Sequence, residues 1–436
     1  MSIQQNFPAI SPSLSLNFAR SKTLDPRITF TRTSTATRVN GQGLIEVVGA
    51  NQPRFDHSYD PVSGTVKSLG LLIEEQRVNS IRNNTMVGAV SGTSGTLPTY
   101  WSAITSTNGI TREVIGTGTE NGISYIDIKY SGTNTLGSNF YTDITFDTGT
   151  ISASQGQTWT LSCYIKLISG VFSGSAFSSV PKLILYGAPS FNDNSVVSIG
   201  TITNQSLISQ RFTTTKTYAN ATTTSASTRI GFTIATGATI DFTIRIGMPQ
   251  LELGSFATSV IPTSGSTATR NPDNASMVGE NFSSWYNQSE GTVYVSSRFY
   301  ADGGAGQLIF QIDDDGNANK NGITFRNELS GNQIRPFDVN YSASPAGFDL
   351  WTHTGSVINT DYKTAFALKS NDMAAVTNYP EGSLGLDSST SRILQEKTTL
   401  RLGSGISNIS PLNGHISQLT YYPTRLTNAQ LQNLTK

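Results

Sequence analysis

Short runs of Val, Ile, Thr, Tyr and Phe alternate with clusters of Gly, Asn, Asp and Ser along the whole chain, the rhythm of β-strands separated by turns. The run Thr239-Ile240-Asp241-Phe242-Thr243-Ile244-Arg245-Ile246 alternates polar and apolar at every step. In a strand this places Ile240, Phe242, Ile244 and Ile246 on one face, with the other face wet. Further strands are predicted at 123–130, 140–146, 158–167, 182–186, 229–234, 292–300 and 307–312. The best helical signal closes the chain. Thr427-Asn428-Ala429-Gln430 fits a capping box, and Leu426 is placed to staple onto Leu431.

The same pattern divides the chain. Residues 1–80 form a loop-rich N-terminal region with charges, prolines and short strands, and 81–264 a Ser/Thr/Gly-rich β region. Residues 265–272 are small, polar and end on Pro272, which reads as a linker. Residues 273–436 form a second β region. Each β region has the size of one sandwich. The expected fold class is all-β: a loop-rich N-terminal region followed by two antiparallel β-sandwich domains of jelly-roll type.

Composition narrows the function classes. Charged residues make up 13% of the 436 positions, against roughly 25% in an average soluble protein. The 29 basic residues balance the 29 acidic ones. Basic side chains are scattered singly, as at Arg54, Arg112, Arg245 and Arg298, so no phosphate-neutralising patch points to nucleic acid. No apolar stretch approaches the roughly 18 residues of a membrane span. Residues 1–9 lack a basic region followed by an apolar run, so no signal peptide is expected. The single cysteine, Cys163, lies in an apolar run and reads as a buried small hydrophobe.

Catalytic constellations are not evident. His57, His353 and His415 lie in different segments without metal-like spacing, and no nucleophile elbow or phosphate loop is present. Glu74 and Glu75 are adjacent and would point to opposite faces of an extended chain, unlike the opposed carboxylates of a glycosidase. The expectation is a non-enzymatic protein without a cofactor. One loop offers alternating oxygens, Asp313, Asp315, Asn317 and Asn319, at the spacing of the first half of a calcium loop. Its glycine is misplaced for an EF-hand and the closing glutamate is missing, so a hairpin turn and a Ca2+ site both remain open. Sugar recognition would use aromatic faces beside polar groups. Tyr100, Trp101, Trp285, Tyr286 and Trp351 are the candidates, whereas Trp159 reads as core.

One succession carries more information. It runs from Phe30-Thr31-Arg32 through Asn51-Gln52-Pro53-Arg54-Phe55-Asp56 and Asp60-Pro61-Val62-Ser63-Gly64. It ends on Gly70-Leu71-Leu72-Ile73-Glu74-Glu75-Gln76-Arg77-Val78-Asn79. This resembles a module of tail-fibre, head-fibre and head-spike proteins of tailed phages, including cyanophages. The stretches Ile246-Gly247-Met248-Pro249-Gln250-Leu251-Glu252 and Phe256–Thr263 resemble the end of the carbohydrate-binding-module-like jelly roll that follows it in those proteins. Gly291–Val295, Leu412–Ile416 and Tyr421–Thr427 resemble a concanavalin/laminin-G-like sandwich.

The resemblance implies that 1–80 is an attachment and assembly region. Pro53, Arg54, Phe55, Asp56, Leu71, Leu72, Glu74, Glu75 and Arg77 are its candidate residues. It further implies a virion structural protein made in a host cytoplasm, contacting other capsid, tail or baseplate proteins. Homo-oligomerisation, with a trimer favoured, and a cell-surface glycan as ligand complete that picture; nucleic acid and membrane are not expected partners. Two alternatives stand beside it: a protein whose primary task is glycan recognition, and a polysaccharide depolymerase.

Overall fold

Strand Thr239–Leu253 realises the alternation that the sequence announces, and its Ile240, Phe242, Ile244 and Ile246 are all buried. It is a central strand of a six-stranded sheet, bonded to Ile123–Thr133 on one side and Thr158–Gly170 on the other. The computed structural model describes residues 8–104, 108–300, 306–315, 320–328, 333–340, 353–354, 357–378, 381–387, 394 and 396–436.

The first sandwich faces that sheet with a second one, built from Asn194–Ser198, Phe177–Ala188, Ser225–Ile234, Phe140–Thr145 and Ser102–Ala103, with Ile151–Ser152 bonded alongside. One apolar core fills the space between them. Its centre is an aromatic cluster of Tyr130, Phe172, Phe177, Phe232 and Phe242, in the edge-on and offset contacts that aromatic quadrupoles favour. Cys163 and Trp159 belong to this core.

The second sandwich departs from the expected division. Its larger sheet places Gly385–Asp387, Met373–Thr377, Tyr362–Lys369, Glu290–Phe299 and Gly414–Tyr422 side by side, and continues with Val66–Ile73 and Phe55–Tyr59 from the N-terminal region. Leu14–Asn17 bonds to Gly414–Tyr422 as well, with Leu14 opposite Tyr421 and Leu16 opposite Leu419. The opposing sheet begins with Thr29–Thr31 beside Asn274–Val278. Leu14, Leu16, Phe18, Ile28, Phe55, Leu71 and Ile73 lie in the same core as Val293, Phe310, Phe366 and Leu419. Leu14–Asn17, Thr29–Thr31, Phe55–Tyr59 and Val66–Ile73 are therefore strands of the C-terminal sandwich rather than of a separate unit, while Ala36–Val39 and Ile45–Val48 pair only with each other and Ile45 packs against the first sandwich. Leu14–Asn17, Thr29–Thr31 and Phe55–Tyr59 are too short to show a period, and in Val66–Ile73 the run Leu71-Leu72-Ile73 breaks the alternation.

The expected linker is likewise structured. Ala268–Arg270 pairs with Arg77–Asn79, Arg270 opposite Arg77. At the C-terminus, Asn428–Leu434 is helical behind the expected capping box, and Leu426 and Leu431 share a small core against Ala365, Ala367 and Val376.

Candidate functional site

The residues of the GLLIEEQRVN-type segment converge where the N-terminal strands meet both sandwiches. Strand Val66–Ile73 ends by delivering Glu74, and Phe55–Tyr59 starts just after Arg54. Gly70 permits the close approach of this segment to its neighbour: it sits at φ 99°, and a Cβ there would lie 2.3 Å from the Ile416 carbonyl oxygen. Asp273 joins from the other side through one backbone bond and one bond to its carboxylate. Its amide donates to the Glu74 carbonyl at 3.0 Å, and the Glu74 amide donates to Asp273 Oδ2 at 3.0 Å.

Around these two carboxylates stand three arginines. Arg54 donates through Nη1 to Glu74 Oε2 at 2.6 Å and through Nη2 to Asp273 Oδ2. Arg32 Nη1 donates to Asp273 Oδ1 at 2.9 Å, and Arg270 Nη1 lies 3.0 Å from Glu74 Oε2. Arg54 and Glu74 are 0% exposed. Glu74 Oε1 also accepts from the Ser259 amide at 2.8 Å and from the Tyr300 hydroxyl, and Oε2 from Ser259 Oγ at 2.6 Å. Ion pairs at this depth hold only when remaining lone pairs and protons are also satisfied.

The electrostatics follow from this crowding. Burial alone would raise the Glu74 carboxyl, but the Arg270 and Arg54 guanidiniums, with the Ser259 and Tyr300 hydroxyls, hold it well below the usual carboxylate range. Burial, together with the Glu74 charge, drives the Tyr300 phenol well above its ordinary value. Glu74 is thus an ionised acceptor with its oxygens occupied, and Tyr300 a neutral donor. Neither is poised to exchange a proton near neutral pH.

Beside the network lies a cavity of about 230 Å³, lined by Glu74, Tyr300, Asp56, His415, Tyr164 and Arg211. His415 Nε2 and Asp56 Oδ2 are 2.8 Å apart, and Asp56 Oδ1 accepts from the Val39 amide at 2.7 Å. Arg211 closes the far side, donating to the Thr258 carbonyl at 2.8 Å and to Ser162 Oγ at 2.9 Å. The arrangement fastens the N-terminal region to the first sandwich through 258–260 and to the second through Tyr300 and His415.

The candidate module residues thus fall into one neighbourhood, mostly as internal contacts. Phe55, Leu71 and Leu72 are buried, and Pro53 is half-buried. Arg77 lies over the Phe256 ring at 4.5 Å, pairs with Glu75 and donates to the Leu253 carbonyl. Sequence reasoning missed Arg32, Ser259, Arg270, Asp273, Tyr300 and His415 as partners. One signal was available: Arg270 and Asp273 are the only charged residues between Glu252 and Glu280.

The proposed aromatic faces lie elsewhere. Trp101 is 7% exposed, edge-on to Phe146 at 5.0 Å, with Nε1 donating to the Asn83 carbonyl. Trp285 is 4% exposed and packs on Phe282 and Tyr421, with Nε1 donating to the Asn281 carbonyl. Both indoles are core, against the expectation that they present a face to sugar, because each finds an internal carbonyl that lets it turn inward. Tyr286 stacks on Phe282 and Tyr421, and the half-buried Tyr100 is covered by the Arg82 guanidinium at 3.7 Å. Trp351 lies outside the described residues.

In the acidic loop, Asp313 is buried and receives Arg401 Nε at 3.0 Å, while Arg401 Nη2 takes Asp315. Burial raises the Asp313 carboxyl, against the pull of Arg401. These two carboxylates close on a guanidinium rather than converging on an open oxygen site. Asn317 and Asn319 lie outside the described residues. Among the described residues no group of three or more His, Cys, Asp and Glu is placed to hold a metal ion, and no helix is long and apolar enough to cross a membrane.

No family model and no curated protein matches the chain. Solved structures with partial likeness include the CBM40 of Ruminococcus gnavus IT-sialidase bound to α2,3 sialyllactose. It is 12% identical, with 36% of this chain and 86% of that chain covered at a TM-score of 0.31. Domain 4 of AbnA, a GH43 extracellular arabinanase from Geobacillus stearothermophilus in complex with arabinotriose, is 14% identical over 42% of this chain and 81% of that one, TM-score 0.29. Trypanosoma rangeli sialidase in complex with the inhibitor DANA is 8% identical over 94% and 77%, TM-score 0.28. At TM-scores this low none of them assigns a fold family or a function to this chain.

Proposed function

We propose that the chain is a non-catalytic display protein of a bacteriophage particle, a fibre or spike subunit whose β-sandwiches recognise carbohydrate on a host surface. The observation that carries this reading is that the acids of the junction are engaged internally. Every acid brought together there, Glu74, Asp273 and Asp56, is held by a buried arginine or histidine. A hydrolase would need one carboxyl free to give a proton and another free to take one. A rigid splice between two sandwiches suits a part that must project outward as one body.

The phage reading rests on the module resemblance. The exposed Leu44, Val47 and Val62 of the N-terminal region offer surface for neighbouring virion proteins or for other copies of the chain. Tryptic mass spectrometry of purified particles tests the placement, with peptides of this chain expected at fibre-like stoichiometry. Their absence from intact particles removes it. Carbohydrate recognition is tested separately by a glycan array probed with the full chain, and a blank array removes that half.

A further inference from the structure

At the open side of the first sandwich, between edge strand Gly92–Thr93 with its neighbour Ile110–Glu120 and the opposing Ser102–Ala103 with Phe140–Thr145, lies a second cavity of about 230 Å³. Ile104, Ile110 and Phe140 form apolar walls, and Thr93, Ser94 and Thr111 bring hydroxyls to it. Arg112 and Tyr130 bring polar groups to it. Arg112 Nη2 donates to the Ser94 carbonyl, but Nε and Nη1 are buried without a hydrogen-bond acceptor. Arg112 is half-buried, and among the described residues it takes part in none of the ion pairs that hold guanidiniums such as Arg54, Arg229, Arg245 and Arg270.

Tyr130 is 2% exposed, and its buried hydroxyl has Thr142 as its hydrogen-bonding neighbour. Its ring is fixed edge-on to Phe232 at 5.0 Å and stacked near Phe242 at 5.7 Å, which holds the hydroxyl beside Thr142. Thr142 beside it directs its own proton to the Ile104 carbonyl. Unsatisfied buried donors are costly and rare in folded proteins. Here a guanidinium keeps two N–H groups without an acceptor, beside a phenol, in one concave, half-apolar, hydroxyl-rimmed space.

We infer that this cavity binds the carboxylate-bearing ring of an acidic sugar. The carboxylate meets the uncompensated Arg112 and accepts from Tyr130. The ring's C–H face lies on Ile110 and Phe140, and its hydroxyls reach Thr93, Ser94 and Thr111. The inference rests on the carbohydrate half of the proposed function and names the site and the sugar class. One cation without a counter-ion selects an anionic ligand, the hydroxyl rim selects a polyol, and the volume admits a single ring.

Calorimetric titration of the full chain with glucuronate, glucose and acetate tests it. Glucuronate is expected to bind at least about tenfold more tightly than glucose or acetate, and Arg112→Gln to lose about tenfold or more, as for a hydrogen-bonded charge. Thr93→Trp, which plugs the rim from an exposed position, should abolish binding without altering the melting temperature, so a poorly folding Arg112 variant does not decide the matter. Equal binding of glucose and glucuronate, binding of acetate alone, or glucuronate binding unchanged in both variants overturns the site. On the glycan array, signals confined to neutral glycans and unchanged by Arg112→Gln overturn the site while leaving carbohydrate recognition standing. A blank array overturns both.

Discussion

Glu74 illustrates how one side chain can carry a sequence signature without being reactive. Its two oxygens accept from Arg54, Ser259 and Tyr300, with Arg270 against them, and none of these lies within 19 positions of it in sequence. Replacing Glu74 with Gln removes the charge while leaving the arginines buried, and is expected to cost about 3–5 kcal/mol, read from the urea midpoint. The acid dependence has a definite sign. The folded carboxyl lies well below its ordinary value of 4.5. The unfolded chain therefore binds the extra proton as pH drops below that value, and stability is retained above it and lost beneath it. Urea midpoints between pH 7 and pH 3 should fall in wild type, and fall less in Glu74→Gln; parallel curves would show that the carboxylate is not held as described. Glu74 and Arg54 were legible in the sequence as members of a distinctive segment. Their role was not, because every partner comes from a distant segment and no periodicity links them.

Among the elements, those whose evidence is local were the easiest to read. Thr427 and Gln430 form the capping box three residues apart, so sequence alone specified it. Thr427→Ala should lower stability by about 1 kcal/mol and loosen the terminal helix against Ala365 and Val376, visible as faster amide exchange in Asn428–Leu434. The long strands of the first sandwich were legible for the same reason: 239–246 alternates over eight residues. The three-residue strand Ala268–Arg270 was not, since three residues cannot display a period and Ser and Thr flank it. What holds it is pairing with Arg77–Asn79 and the burial of Arg270. Nearby, Gly254 lies at φ 138° with the Arg77 guanidinium where a Cβ would stand, 1.5 Å from Nη1. Gly254→Ala should therefore displace Arg77 from Phe256 and cost about 1–3 kcal/mol, measured by thermal melting; an unchanged melting temperature would show that Arg77 is free to move aside. The inward-facing Trp101 and Trp285 mark the opposite failing: polar, turn-rich flanks look exposed in sequence, while the indole N–H finds a carbonyl inside.

At the scale of the molecule, the chain closes on itself. Strands from 14–73 complete both sheets of the C-terminal sandwich, and the Arg32–Arg54–Glu74–Arg270–Asp273 network ties that closure to the end of the first sandwich. The all-β class and two cores could be read from the sequence; the long-range return of the N-terminus could not, because it depends on which edge strand is left unpaired, not on any local pattern. Leu14–Asn17, Thr29–Thr31, Phe55–Tyr59 and Val66–Ile73 are internal strands of the second sandwich. Calorimetry of residues 273–436 expressed alone, beside the full chain, tests this placement most directly. Lacking the strands that pair with Gly414–Tyr422 and Asn274–Val278, the fragment is predicted to show no cooperative melting transition. A cooperative transition at the temperature of the intact protein would contradict it.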